Sequence, residues 1–125
     1  MDKQPLILIV GVCAAGKSTL SQGLQALGYN ARSFAQEHSV SPYVWQRRKP
    51  DFLILLDCEY ETVKSRKLIS WGMHKYKAQK TILADAHAHA HLVVKTDKFT
   101  PQELIAYVDG VLQEKGFPKV TSAFR

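Results

Sequence analysis

The sequence predicts an α/β fold, a three-layer α/β/α sandwich built on a small parallel sheet of about four strands. Two observations carry this expectation. Short apolar runs alternate with segments of helical periodicity along the whole chain. The runs are also continuous rather than alternating with polar residues, as expected of strands covered on both faces. A length of 125 residues holds one core and not two. We therefore expect a single domain over residues 1–116 and a loose tail over 117–125.

The elements follow in order. Leu6-Ile7-Leu8-Ile9-Val10 is β-branched, apolar throughout and ends at Gly11, so it reads as the first, buried strand. Leu20, Leu24 and Leu27 recur on one helical face, and Gly28 is placed to close that helix. Asn30–Phe34 is a weaker strand and Phe52–Leu56 a strong one, set between Pro50 and Asp57. Glu59 to Ser70 reads as helical and should stop near Gly72. A second long helix is expected from about His74 to Ala90, with Tyr76, Leu83, Ala86 and Ala90 roughly along one side. Leu92-Val93-Val94 is a short strand. The last helix announces its own start: Thr100 is the N-cap, Pro101 the first helical residue, and Glu103 completes a capping box. Phe99 and Leu104 hold the hydrophobic-staple positions, and Val108, Val111 and Leu112 continue the apolar face to Gly116. The expected strand order is 2-1-3-4, with the site at the carboxyl ends of the strands.

Composition narrows the function classes. Hydrophobic residues make up 46% of the chain, in the range of an ordinary globular protein. No apolar run approaches membrane-spanning length, and the start lacks a secretory core, so a cytoplasmic protein with no membrane partner is expected. Two cysteines do not make a disulfide framework. The formal charge of +6 suits nucleic acid or a site holding several phosphates. No aromatic-interleaved basic stripe or zinc spacing accompanies it, so the phosphate site is the reading we carry forward.

The most specific signal is Gly11-Val12-Cys13-Ala14-Ala15-Gly16-Lys17-Ser18, which fits G-x-x-x-x-G-K-[ST] at every fixed position. The motif has force only between a strand and a helix, and it lies between two such predicted elements. Glycines allow the backbone to curl so that successive N–H groups point at phosphate oxygens, and the helix adds its positive end. Gly11, Cys13, Ala14, Ala15, Gly16, Lys17, Ser18 and Thr19 are thus the expected phosphate contacts. Lys17 would reach the β- and γ-phosphates, Ser18 would complete a Mg²⁺ shell, and Thr19 would meet the α-phosphate. ATP with Mg²⁺ is the expected cofactor.

From Leu6 to about Leu112 the chain resembles the P-loop kinase group that contains nucleoside monophosphate, shikimate and gluconate kinases. The phosphate loop carries this, together with Pro50-Asp51-Phe52-Leu53-Ile54-Leu55-Leu56-Asp57 and His91-Leu92-Val93-Val94-Lys95-Thr96-Asp97-Lys98-Phe99-Thr100-Pro101-Gln102-Glu103. The second passage is similar to the strand before the lid helix of those kinases, and the third to their last strand, adenine-side loop and capped final helix. The resemblance implies a P-loop NTPase-like fold, nucleotide contacts from Arg66 with Lys67 in the lid and from Asp97, and phosphoryl transfer to a small-molecule acceptor. The chain departs from the group between Tyr29 and Pro50, too few residues for the usual acceptor subdomain. Its lid, at most Arg66 to Tyr76, is also short. A kinase-like phosphotransferase or slow ATPase is therefore expected, with a nucleotide-binding switch or interaction module as the alternative.

Phosphoryl transfer needs a carboxylate to organise Mg²⁺ or the nucleophile, and two qualify. Asp57 ends an apolar strand as a Walker B aspartate does, which makes it a candidate metal ligand. Glu37 follows the weaker strand. With Lys17 these form the candidate catalytic set. Capping of a loop by Asp57 and a solvated Glu37 are the plain alternatives. His87, His89 and His91 attract notice as metal ligands, but only His87 and His91 share a helical face and no H-E-x-x-H completes them. Val94-Lys95-Thr96-Asp97 contains the K-x-D of guanine-reading GTPases, although Val94 stands where Asn or Thr belongs. Trp71 in the lid segment can stack on a base or pack on the sheet.

Overall fold

The computed structural model describes residues 4–12, 15–66 and 72–120. The strands are β1 (Ile7–Gly11), β2 (Ala31–Ser33), β3 (Phe52–Asp57) and β4 (Leu92–Lys95). All pairings are parallel, in the order β2-β1-β3-β4 that the sequence predicts. The continuous apolar runs find their reason here. β1 and β3 are the inner strands, and every residue of both is buried. Gly11 pairs with Leu56, and a Cβ at Gly11 would lie 2.3 Å from the Leu56 carbonyl oxygen. Glycine is thus required there by the close approach of β3.

The helices are α1 (Lys17–Ala26), α2 (Tyr60–Arg66), α3 (Met73–Ile82), α4 (Ala84–His89) and α5 (Pro101–Glu114). From β1 the chain steps outward to β2, and from β3 it steps outward the other way to β4. Right-handed crossovers then set α1 on one face and the α2–α4 segment on the other. The packing agrees: α5 lies on α1, α4 on β3, and α3 on a 3₁₀ turn at Gln36–His38. The result is an α/β chain on a parallel sheet, in an arrangement consistent with an α/β/α sandwich. No helix among the described residues is long and apolar enough to cross a membrane.

Two helix ends are capped as the sequence predicts. Gly28, at φ 104°, donates to Gln25 O at 3.0 Å while Tyr29 N donates to Leu24 O at 3.0 Å, the paired bonds of a Schellman stop. Leu27 falls beyond that end and is 39% exposed, so the buried face of α1 is Leu20, Ser21 and Leu24. At the start of α5 the capping box is complete, with Glu103 N donating to Thr100 Oγ1 at 3.1 Å and Thr100 N to Glu103 Oε1 at 2.8 Å.

Two expectations need correction. The long helix from His74 to Ala90 is two helices, interrupted at Leu83. Leu83 and Ala86 are buried as the periodicity requires, so the pattern survives the interruption. The break leaves the Ile82 carbonyl to accept from Gln36 Nε2 at 3.5 Å, a long-range bond that local spacing does not reveal. The tail is also not loose over residues 117–120. Val120 N donates to Gly28 O at 2.8 Å, Gln4 Nε2 bridges Gly28 O (2.6 Å) and Pro118 O (3.0 Å), and Phe117 meets Phe52 edge-on. The expected end of the α2 helix near Ser70, and the lid residues Lys67 and Trp71, lie outside the described residues, as do Cys13 and Ala14.

Candidate functional site

The loop of residues 11–18 joins the carboxyl end of β1 to α1. Its last glycine, Gly16, is the N-cap of α1 at φ 104° and ψ 20°, a left-handed conformation that favours glycine. The turn brings the Lys17 side chain back over the strand end. Lys17 Nζ donates to Gly11 O at 3.0 Å, to Val12 O at 3.2 Å and to Glu37 Oε2 at 2.7 Å. All three ammonium hydrogens therefore have acceptors. Ser18 and Thr19 follow on the first turn of α1, exposed.

Glu37 reaches this lysine from the Gln36–His38 turn after β2. Its side chain is only 4% exposed, and Lys17 is 12% exposed. Burial without a partner would be costly, so the pair holds both charges in place. His38 Nε2 lies 3.6 Å from the same Oε2. The other oxygen, Glu37 Oε1, is buried and accepts no hydrogen bond among the described residues. An orphaned carboxylate oxygen beside a lysine is suited to a hard cation or a hydroxyl donor.

Asp57 is held differently. Its Oδ2 accepts from Lys80 Nζ of α3 at 2.9 Å and its Oδ1 from Cys58 N at 3.0 Å. Tyr76, one turn before Lys80, donates its hydroxyl to Cys58 O at 2.6 Å. Burial raises the Cys58 thiol to about 11, so it is protonated at neutral pH. The two candidate carboxylates thus pair with different lysines, Glu37 with the loop and Asp57 with α3.

Beside the loop, on the α1–α5 face, lies a cavity of about 430 Å³. Gly16 and Thr19 line one side, Arg66 and Thr96 another, and Phe99 and Leu104 close it. Arg66 comes from the end of α2. Its guanidinium donates to Thr96 Oγ1 at 3.0 Å and also to the Thr96 carbonyl. Asp97 stands behind this wall, accepting from Glu59 N at 2.8 Å and Thr62 Oγ1 at 2.6 Å. Burial alone would raise the Asp97 carboxyl, but those two hydrogen bonds and Arg66 outweigh it and hold it below its ordinary value. Asp97 therefore positions the α2 start, while Arg66 faces the cavity.

The structure brings together Lys17, Glu37 and the loop, and separately Arg66, Thr96 and the N-terminus of α5. Sequence reasoning alone does not single out Thr96, Phe99 or Lys80 for a site. Thr96 and Phe99 lie within the passage His91–Glu103 that resembles the kinase group, whereas nothing local marks Lys80. The three histidines go to three places. His87 lines a cavity with Lys80, His89 Nδ1 lies 2.9 Å from Asp85 O, and His91 Nδ1 accepts from Leu53 N at 2.9 Å and stacks on Phe52. Among the described residues no three His, Cys, Asp or Glu side chains converge. Compared with known proteins, the chain matches no family model and no curated protein.

Proposed function

We propose that the loop of residues 11–18 binds the phosphates of ATP with Mg²⁺, on a P-loop NTPase-like fold. The protein is then a kinase-like phosphotransferase acting on a small molecule, or a slow ATPase. The observation that carries the reading is the buried Lys17–Glu37 pair at the strand-to-helix loop, with Glu37 Oε1 left unpartnered among the described residues. On this reading Lys17 exchanges Glu37 for the β- and γ-phosphates. Loop amides and the start of α1 add partial positive charge. Ser18 and Glu37 would hold the metal, which neutralises developing charge, with Thr19 near the α-phosphate. The cavity walled by Arg66 and Thr96 fits the nucleoside end of the donor.

Of the two carboxylates, Glu37 takes the principal role, because both Asp57 oxygens already have donors. A nucleotide-binding module without its own acceptor is the second reading. The pairing of each carboxylate with a lysine favours it, since both must be released before either can act. Single-turnover release of labelled γ-phosphate, with calorimetry of ATP binding alongside, separates the two. Binding with turnover that falls at least tenfold in Glu37→Gln supports the enzyme. Binding with no turnover in wild type supports the module, and no binding refutes both.

A further inference from the structure

A second cavity, of about 260 Å³, lies between β3 and the α3–α4 pair. This is the face of the sheet opposite α1 and α5. Leu55 and Leu83 form an apolar floor, Ala84 a side wall, and Asp57, Lys80 and His87 the polar rim. The floor extends outward, because Leu55 is in register with Val93 of β4, which is 41% exposed.

We propose that this cavity is a second ligand site, for a small organic anion with a compact apolar body. The rim has donors to spare and few acceptors. Asp57 uses one oxygen on Cys58 N and the other on Lys80. Lys80 has three ammonium hydrogens and gives one to Asp57; its Nζ also lies 5.8 Å from the Tyr76 ring centroid. Among the described residues the His87 ring has no hydrogen-bond partner, so its N–H adds another donor. Spare N–H groups around a lysine select an anionic head, by charge-assisted hydrogen bonds. The apolar floor selects the rest of the molecule. At about 260 Å³ the cavity falls just below the range of about 300–1,000 Å³ that holds drug-sized ligands, which suits one head group and a ring or short chain. A carboxylate and a phosphate monoester share this chemistry.

The site has a place in the larger arrangement. The Asp57 side chain forms part of this rim, while its carbonyl accepts from Thr96 N at 2.8 Å, and Thr96 walls the first cavity. The two cavities therefore sit on opposite faces of one strand end. Binding here does not depend on the nucleotide reading, because no loop residue lines the second cavity.

The test is a titration of the full chain, without nucleotide, followed by amide chemical shifts. The probes are benzoate, phenyl phosphate and the neutral benzyl alcohol. We expect saturable shifts at Leu55, Ala84 and His87, with a dissociation constant on the order of 1 mM or tighter for an anion of this size. Benzyl alcohol should bind at least tenfold more weakly. Tighter binding of benzoate assigns a carboxylate ligand, and tighter binding of phenyl phosphate a phosphate ester. Lys80→Met should weaken the anion at least tenfold. Because that change strips Asp57 of its partner, His87→Gln is the second variant, expected to weaken the anion several-fold with the ion pair intact. The proposal is overturned if neither anion gives saturable shifts at these amides. Equal binding of benzyl alcohol, or variants that bind as wild type does, would overturn it too.

Discussion

Replacing Lys17 with alanine should unfold the protein more easily, before any question of ligand affinity arises. Glu37 is 4% exposed on its side chain and depends on Lys17 at 2.7 Å, with its other oxygen unpartnered among the described residues. Removing one member of a buried pair typically costs about 3–5 kcal/mol, because the other charge is left uncompensated. Lys17 keeps 12% exposure, so water can enter after truncation, and we take the lower end, about 3 kcal/mol. For a chain of this length about 3–5 °C of melting temperature accompanies each kcal/mol, giving a loss of about 9–15 °C. Glu37→Gln alone leaves Lys17 its two carbonyl acceptors, and should cost about 1 kcal/mol. The double variant removes the stranded charge, so it should be more stable than the sum of the singles by about 2 kcal/mol. Urea unfolding of the four proteins, without nucleotide, measures this directly. Effects that add within about 0.5 kcal/mol would refute a buried, coupled pair.

Other outcomes follow from the same geometry. In a Lys17→Ala protein kept folded at low temperature, calorimetry should show ATP affinity reduced about 30- to 150-fold, the loss of about 2–3 kcal/mol. Unchanged affinity would remove the loop from the site. Glu37→Gln should bind metal-free ATP at least as tightly as wild type, since Lys17 loses its competitor, while any Mg²⁺-dependent turnover falls at least tenfold; parallel loss of both would make Glu37 a binding residue only. Thr100→Ala removes the acceptor for Glu103 N and should cost about 1 kcal/mol in urea, with α5 fraying in amide exchange. Asp97 has a carboxyl held below its ordinary value, so its stabilisation is present above that value and lost as pH falls through the lower folded one. Thr62→Val should shrink this acid-limb slope, and an identical slope in both proteins would show that the Thr62 bond does not hold it.

The legible parts of the fold are those where one local pattern has one physical cause. β1 and β3 are buried on both faces, so their residues are apolar without alternation, and their identity as inner strands follows. The cap of α5 is written in Thr100, Pro101 and Glu103 because all its bonds are local. Illegible features depend on partners distant in the chain. The break at Leu83 does not disturb the apolar spacing, and the Ile82 carbonyl it frees is met by Gln36, 46 positions away. Glu37 could be chosen as a candidate by its place after β2, but its pairing with Lys17 requires the 3₁₀ turn. Asp57 carries the stronger sequence signal, an aspartate after an apolar strand. In space it serves α3, through a lysine with no local mark.

The segment at residues 117–120 closes on Gly28 and Gln4, and Phe117 rests on Phe52 at the first residue of β3. That contact lies at the amino edge of the sheet, whereas the loop and both cavities' polar walls lie toward the carboxyl edge. A tether fixed beyond residue 120 would therefore hold the molecule by its base. On a biosensor surface the Gly16–Lys17 turn would face the flowing solution. The single amide of Gln4, shared between Gly28 and Pro118, also brings residues 4 and 118 within one side chain of each other. A short peptide could join those positions, and the chain could be reopened at the exposed Val40 to give a circular permutant with the same sheet.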